Sequence, residues 1–186
     1  DILLGAPLDK KITNREAMFL PEYLLMAFDS ATLNNKKLIT EKNSLLPAFE
    51  IAKTKPFLTP VVVFSIFFLL IAFLSFLKQG SWNNFFKVFD FLFFFILGLK
   101  GALLLFMWLG TNHAMCKNNF NLLWALPTHL PMAFMLFSKK QWVRKYFKII
   151  FWLTLALIIV WFFLPQQLNT ALLPVAGIVL IRSYFH

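Results

Sequence analysis

Long uninterrupted apolar runs constrain this chain more than anything else in it. A helix crossing about 30 Å of hydrocarbon needs about 20 apolar residues at 1.5 Å of rise each. Residues 57–77 and 146–164 meet that length cleanly, and 85–109 is long enough to cross with tilt. Residues 120–138 are weaker, because Asn121, Pro127, His129 and Pro131 interrupt them. Residues 168–185 are weakest, with Pro174 inside and Arg182 near the end. Hydrophobic residues make up 60% of the chain and charged ones 14%. A soluble domain is nearer half apolar and a quarter charged. The expected fold class is an all-α integral membrane protein, with about five transmembrane helices over 56–186. The tail of an extracytoplasmic domain and a linker, 1–55, precede them.

Charge placement sets the expected direction. Lys78 and Lys87 flank the first link. Lys139, Lys140, Arg144, Lys145 and Lys148 crowd the third, and Arg182 follows the fifth run. The second link carries Lys117 alone and the fourth, PQQLN, no charge at all. Basic residues in short links mark the cytoplasmic side. Five crossings place the rich links together on the cytoplasmic side of the membrane. The N-terminal segment and the 110–119 loop then lie outside, in the periplasm or its equivalent. A re-entrant hairpin over 120–138 is the alternative, but it would put the five-charge link on the motif's side. The net charge of +10 is therefore read as an orientation signal that also touches anionic lipid, and no nucleic-acid partner is expected.

Residues 1–55 differ in character. They hold seven of the eight acidic residues. Thr13 and Glu16 fit a capping box, Pro21 suits the first turn of a helix, and KLITEK over 37–42 reads as a short strand. The chain opens in mid-pattern, without Met, and is expected to be a C-terminal piece of a longer protein.

The segment 110–129, GTNHAMCKNNFNLLWALPTH, concentrates the polar and coordinating groups. The chain's single cysteine rules out an internal disulfide. His113 and Cys116, three apart, would share a helical face. As a dyad they would make an activated thiolate; as a polar loop they would only tie two helix ends together. A zinc site from His113, Cys116 and His129 lacks an obvious fourth ligand, and neither metal nor cofactor is expected. Pro127 and Pro131 would free the carbonyls of Leu123 and Pro127, which must find donors in lipid. His129, Thr128 or Lys100 is expected to supply one. Asn121 and Thr128 would stack on one face of a regular helix. Asp90 and Lys100 are the ionisable groups within a run. They stand ten residues, about 15 Å, apart and cannot pair directly. Asp90 lies near the cytoplasmic end and Lys100 near mid-depth.

The order of these pieces resembles one family. DILLGAP and KKITNREAMFLPEYLLMAFDSA, then a first run, then FDFLFFFILGLKGALLLFMWLGTNHAMCKNNFNLLWALPTH, are similar to the C-terminal half of Lnb-type lipoprotein N-acyltransferases. The most specific string comprises Gly110, Thr111, His113, Cys116, Asn119, Asn121, Leu122, Leu123, Trp124, Pro127 and His129. The resemblance covers 1–136 and departs at Lys100, where a small or apolar residue is expected. It implies movement of an acyl chain from the diacylglyceryl group of a lipoprotein to the amine of its N-terminal cysteine, giving a lyso-form lipoprotein. It also implies a Cys/His pair in the extracytoplasmic domain, upstream of the motif, and nothing in 1–55 matches that pair. His113, Cys116, Asn119, Asn121 and His129 are then candidates for an auxiliary, substrate-handling role. Membrane lipid and a diacylated lipoprotein are the expected partners, with an envelope protein complex possible. A non-enzymatic anchor or scaffold subunit is the competing reading. A small transporter using Asp90, Lys100 and His129 is the third, weakened by the lack of inverted repeats.

Overall fold

A computed structural model describes residues 4–9, 11–39, 41, 43, 57–77, 82–112, 114–138 and 140–186. The chain divides into two compact units. Lys10–Pro56 is one; Asp1–Asp9 with Phe57–His186 is the other.

In the smaller unit, α1 (Asn14–Ala17) begins with the expected capping box. The Thr13 N–H donates to Glu16 Oε2 at 2.8 Å, and the Glu16 N–H to Thr13 Oγ1 at 3.3 Å. Pro21 opens α2 (Pro21–Ser30), where its missing N–H costs nothing. A two-residue ladder follows, β1 (Thr32–Leu33) against β2 (Lys36–Lys37). Asn34 and Asn35 have φ of 50° and 62°. Two consecutive left-handed residues give the loop whose twist matches a hairpin, and asparagine tolerates that region. The strand read over 37–42 is thus displaced to Lys36–Lys37, because the turn, not the apolar alternation, sets the pairing. Thr40 and Lys42 lie outside the described residues.

The larger unit is helical, and each helix follows from its run. Thr59 caps α3 (Pro60–Phe76) by accepting from the Val62 N–H, and Pro60 sits in the first turn. α4 (Trp82–Leu109) is 28 residues long, about 42 Å of rise. α6 (Gln141–Val160) starts ahead of the expected residue 146 and tightens into a 3-10 turn at Trp161–Phe163. α7 (Leu173–Phe185) carries Pro174 in its first turn, so the proline does not interrupt it. The run 120–138 is not one helix. It comprises a 3-10 turn, Phe120–Leu123, an irregular stretch, and α5 (His129–Met135). Pro127 ends the turn region and Pro131 falls in α5's first turn, where no internal acceptor is lost.

Contacts give the directions. Gly101 of α4 faces Ala125, Gly98 faces Leu130, and Phe91 meets Phe134 edge-on, so the broken segment runs antiparallel to α4. α7 is antiparallel to α6, with Phe147 against His186 and Phe151 against Tyr184. α7 is parallel to α3, with Gly177 at Phe68 and Phe185 at Phe76. Phe94, Trp124, Phe147 and Val179 form the centre of the core. Large apolar side chains point outward all around it, among them Leu69, Phe73, Ile96, Ile149, Ile159 and Phe162. Such a surface suits hydrocarbon and not water. Asn84–Leu109 and Gln141–Phe163 are by themselves long and apolar enough to cross a membrane; Pro60–Phe76 and Thr170–Phe185 are shorter apolar helices.

Candidate functional site

The 110–119 loop closes one end of the helical unit. α4 stops as the Gly110 N–H donates to Phe106 O at 2.7 Å and Thr111 Oγ1 to Met107 O at 2.7 Å. The chain then makes a 3-10 turn, Ala114–Cys116, and a left-handed residue, Asn118, with φ of 51°. The Asn119 side chain receives the Asn121 N–H at 3.0 Å and Asn121 Nδ2 at 2.9 Å. This satisfies donors at the start of the Phe120–Leu123 turn.

Residues 4–9 are laced onto this loop. The Gly5 N–H donates to Met115 O at 2.7 Å and the Ala6 N–H to Asn118 O at 3.3 Å. Gln166, buried, clamps both strands of chain: its Oε1 accepts from the Phe120 N–H at 2.6 Å and its Nε2 donates to Leu4 O at 2.8 Å. The Gln167 N–H reaches Asp9 Oδ2 at 2.8 Å. A β-carbon on Gly5 would lie 1.8 Å from Lys117 O, so only glycine permits the approach. Cys116 is 3% exposed and sits beneath this lacing. A cavity of about 350 Å³ opens at this end of the unit, lined by Ala6, Trp108, Asn118, Asn119, Phe120 and Pro165 among others. Its walls are mostly apolar with a few polar groups, the character of a small-ligand or acyl-chain site.

From Asn121 a line of polar groups descends through the broken segment. Trp124 Nε1 donates to Asn121 Oδ1 at 3.2 Å. Lys100 Nζ lies 3.9 Å from the centre of the Trp124 ring, so the indole face meets the cation that α4 carries into the bundle. His129 is fully buried. Its Nε2 lies 3.3 Å from Trp124 O, its Nδ1 2.8 Å from the Tyr146 hydroxyl, and that hydroxyl 3.0 Å from Thr128 Oγ1. A carbonyl can only accept, so Nε2 carries the hydrogen; Tyr146 donates to Nδ1 and accepts from Thr128. The neutral imidazole then satisfies every atom in the line. The Pro127 carbonyl is met by the Leu130 N–H at 3.1 Å, and His129 serves Trp124 O. The side-chain donor expected for Pro127 is thus replaced by backbone. Asn121 and Thr128 stand at opposite ends of the line, not stacked on one face, because the segment is not a regular helix.

Asp90 anchors the opposite end. Its Oδ1 accepts from Arg182 Nε at 2.7 Å, and its Oδ2 from Arg182 Nη2 at 2.6 Å and from His186 Nε2 at 2.8 Å. Arg182 Nη1 donates to Ser75 Oγ at 2.9 Å. The network ties α3, α4 and α7 together, and Asp90 is buried inside the bundle instead of facing an interface.

The structure therefore links Lys100, Asn119, Asn121 and His129 through Trp124, places Cys116 in the loop above them, and puts Asp90 in a separate network. His113 lies outside the described residues, so the His113–Cys116 dyad and the zinc triad that includes it go undescribed. Among the described residues no three metal-ligating side chains gather. Tyr146, Gln166 and Ser75 escaped the sequence reading. Their partners are 17, 46 and 107 positions away, and only an uncharged link holding two glutamines hinted at one of them.

A family model described as Lnb transmembrane domain matches residues 52–186. Neither the curated proteins nor the solved structures contain a match to the chain.

Proposed function

The chain belongs to the Lnb transmembrane domain family, and from that premise we propose that it is the membrane part of a bacterial lipoprotein N-acyltransferase. In this reading it moves an acyl chain from the diacylglyceryl group of a lipoprotein to the amine of its N-terminal cysteine. The observation that carries the reading beyond the family is the assembled loop end. Ala6, Trp108, Asn118, Asn119, Phe120 and Pro165 line an open, mostly apolar cavity of about 350 Å³, next to the most specific string of the sequence. A lipid chain held there would meet its acceptor with much of the orientational cost already met.

The proposed topology has five crossings in the inner membrane. The alternating directions of α3, α4, the broken segment, α6 and α7 support it. So does the gathering of Lys140, Arg144, Lys145 and Arg182 at the Asp90 end, which makes that end cytoplasmic. The irregular backbone of 120–138 is tolerated at membrane depth because it lies against α4 and satisfies its polar groups internally. Cys116 is buried, so sidedness is best read from single cysteines at exposed positions. In a Cys116→Ala background, Asn112→Cys is expected to react with an impermeant thiol reagent from the periplasm. Gln141→Cys is expected to react only after the cytoplasm is opened. The reverse pattern sinks the topology.

Cys116 is a packed turn residue in this reading, not the nucleophile. A buried thiol in such a place behaves as a small apolar group. Cys116→Ala is expected to keep transfer activity within about a factor of three of wild type, as for an inert cysteine. Abolished turnover in a protein that still folds would return the cysteine to the chemistry. For the activity itself, mass spectrometry of a reporter lipoprotein from cells with and without the intact protein is decisive. Loss of the acyl group on the N-terminal amine is expected on deletion. An unchanged acylation state leaves the scaffold reading in its place.

A further inference from the structure

At the Asp90 end, α6 and α7 enclose a hollow of about 330 Å³, lined by Arg144, Lys148, Trp152, Ser183, Tyr184 and His186. Arg144 and Lys148 stand one turn apart on the same helical face, about 6 Å along the axis. Ser183 is 3% exposed, yet its Oγ has no hydrogen-bond partner among the described residues. Leaving a buried hydroxyl unpaired is costly, and Ser183 lines the same hollow as the two cations. No acidic side chain lines that hollow among the described residues. Asp90, the carboxylate bonded to His186, is already matched by Arg182. A second hollow, about 530 Å³, shares Lys148 and Trp152 with the first, begins at Lys145 and continues along Ile149 and Leu153. Following α6 inward, the lysines thus give way to an open apolar groove, the order of groups in a phospholipid.

We propose that these joined hollows bind an anionic phospholipid. Its phosphodiester lies between Arg144 and Lys148 and accepts from Ser183 Oγ, and one acyl chain runs along Ile149, Trp152 and Leu153. Assigning it to the cytoplasmic leaflet rests on the topology proposed above; the site itself does not, nor does it need the acyl-transfer reading.

The test is native mass spectrometry of the intact purified protein, titrated with phosphatidylglycerol, phosphatidylcholine or glycerol phosphate. Phosphatidylglycerol is expected to bind at least about tenfold more tightly than phosphatidylcholine, since two cations act on its charge. Arg144→Ala with Lys148→Ala is expected to remove that preference, whereas Arg144→Lys with Lys148→Arg retains it. Ser183→Ala is expected to weaken phosphatidylglycerol about tenfold to a hundredfold, the loss of one hydrogen bond to a charged group. Lys87→Ala, exposed on α4 outside the hollow, is expected to leave it unchanged. Equal binding of the two lipids overturns the proposal, as does a Lys87→Ala effect matching the double variant. Displacement by glycerol phosphate at equal concentration overturns the lipid assignment in favour of a free-anion site.

Discussion

Arg182→Ala is expected to destabilise the helical unit by about 3–5 kcal/mol, the range for removing one partner of a buried ion pair. The physical reason is Asp90. With the guanidinium present, both carboxylate oxygens receive short, charge-assisted bonds, and the remaining Nη1 is taken by Ser75. The guanidinium also stacks 3.9 Å from the Phe86 ring. Truncation removes all of these and leaves Asp90, itself about fully buried, with His186 alone. Arg182→Lys should recover only part of the loss, since an ammonium cannot make the paired fork. Asp90→Leu combined with Arg182→Met should melt near wild type, because exchanging the whole pair for apolar groups strands no charge. Unfolding in detergent, followed by tryptophan fluorescence, measures all three. A wild-type melting temperature for Arg182→Ala would show that the pair does not hold the helices.

Gly98→Leu and Gly101→Leu are expected to force α4 away from the broken segment, each costing about 1–3 kcal/mol or more by overpacking. A β-carbon at Gly98 would stand 2.1 Å from Leu130 N, and one at Gly101 2.0 Å from Ala125 O. Both obstacles are backbone, so no side-chain rotation relieves them. Small residues at a helix contact allow this approach in membrane proteins, where packing drives association. Separation of α4 would also pull Lys100 from the Trp124 ring, so the tryptophan emission should shift along with the loss of stability. If Gly98→Ala with Gly101→Ala unfolds as wild type does, the close contact is not a determinant of the fold.

Much of the fold was legible because its signals are local. The runs located α3, α4, α6 and α7, since apolar length needs no partner to be recognised. Thr13, Glu16 and Pro21 marked two helix starts through bonds or dihedrals only a few residues wide. The run 120–138 misled, because hydropathy counts apolar side chains and says nothing about how prolines divide a backbone. The site divided in the same way. Asn119, Asn121, His129 and Lys100 stood out as polar groups in apolar surroundings, but their connection through Trp124 was hidden, because residue order does not show which ring a distant ammonium will meet. Asp90 and Arg182, 92 positions apart, each looked like a charge near the end of a run.

By itself the amino-acid order determined that this chain seeks hydrocarbon, where its helices begin, and which segment collects polar groups. Each of those follows from neighbours within a turn or from summed hydropathy. Only the tertiary structure decided that Asp90 pairs with Arg182, that Gln166 ties residue 4 to residue 120, and that His129 sits between Trp124 and Tyr146. Hydrogen bonds act over about 3 Å, and sequence separation carries no information about which distant atoms packing will bring within that reach.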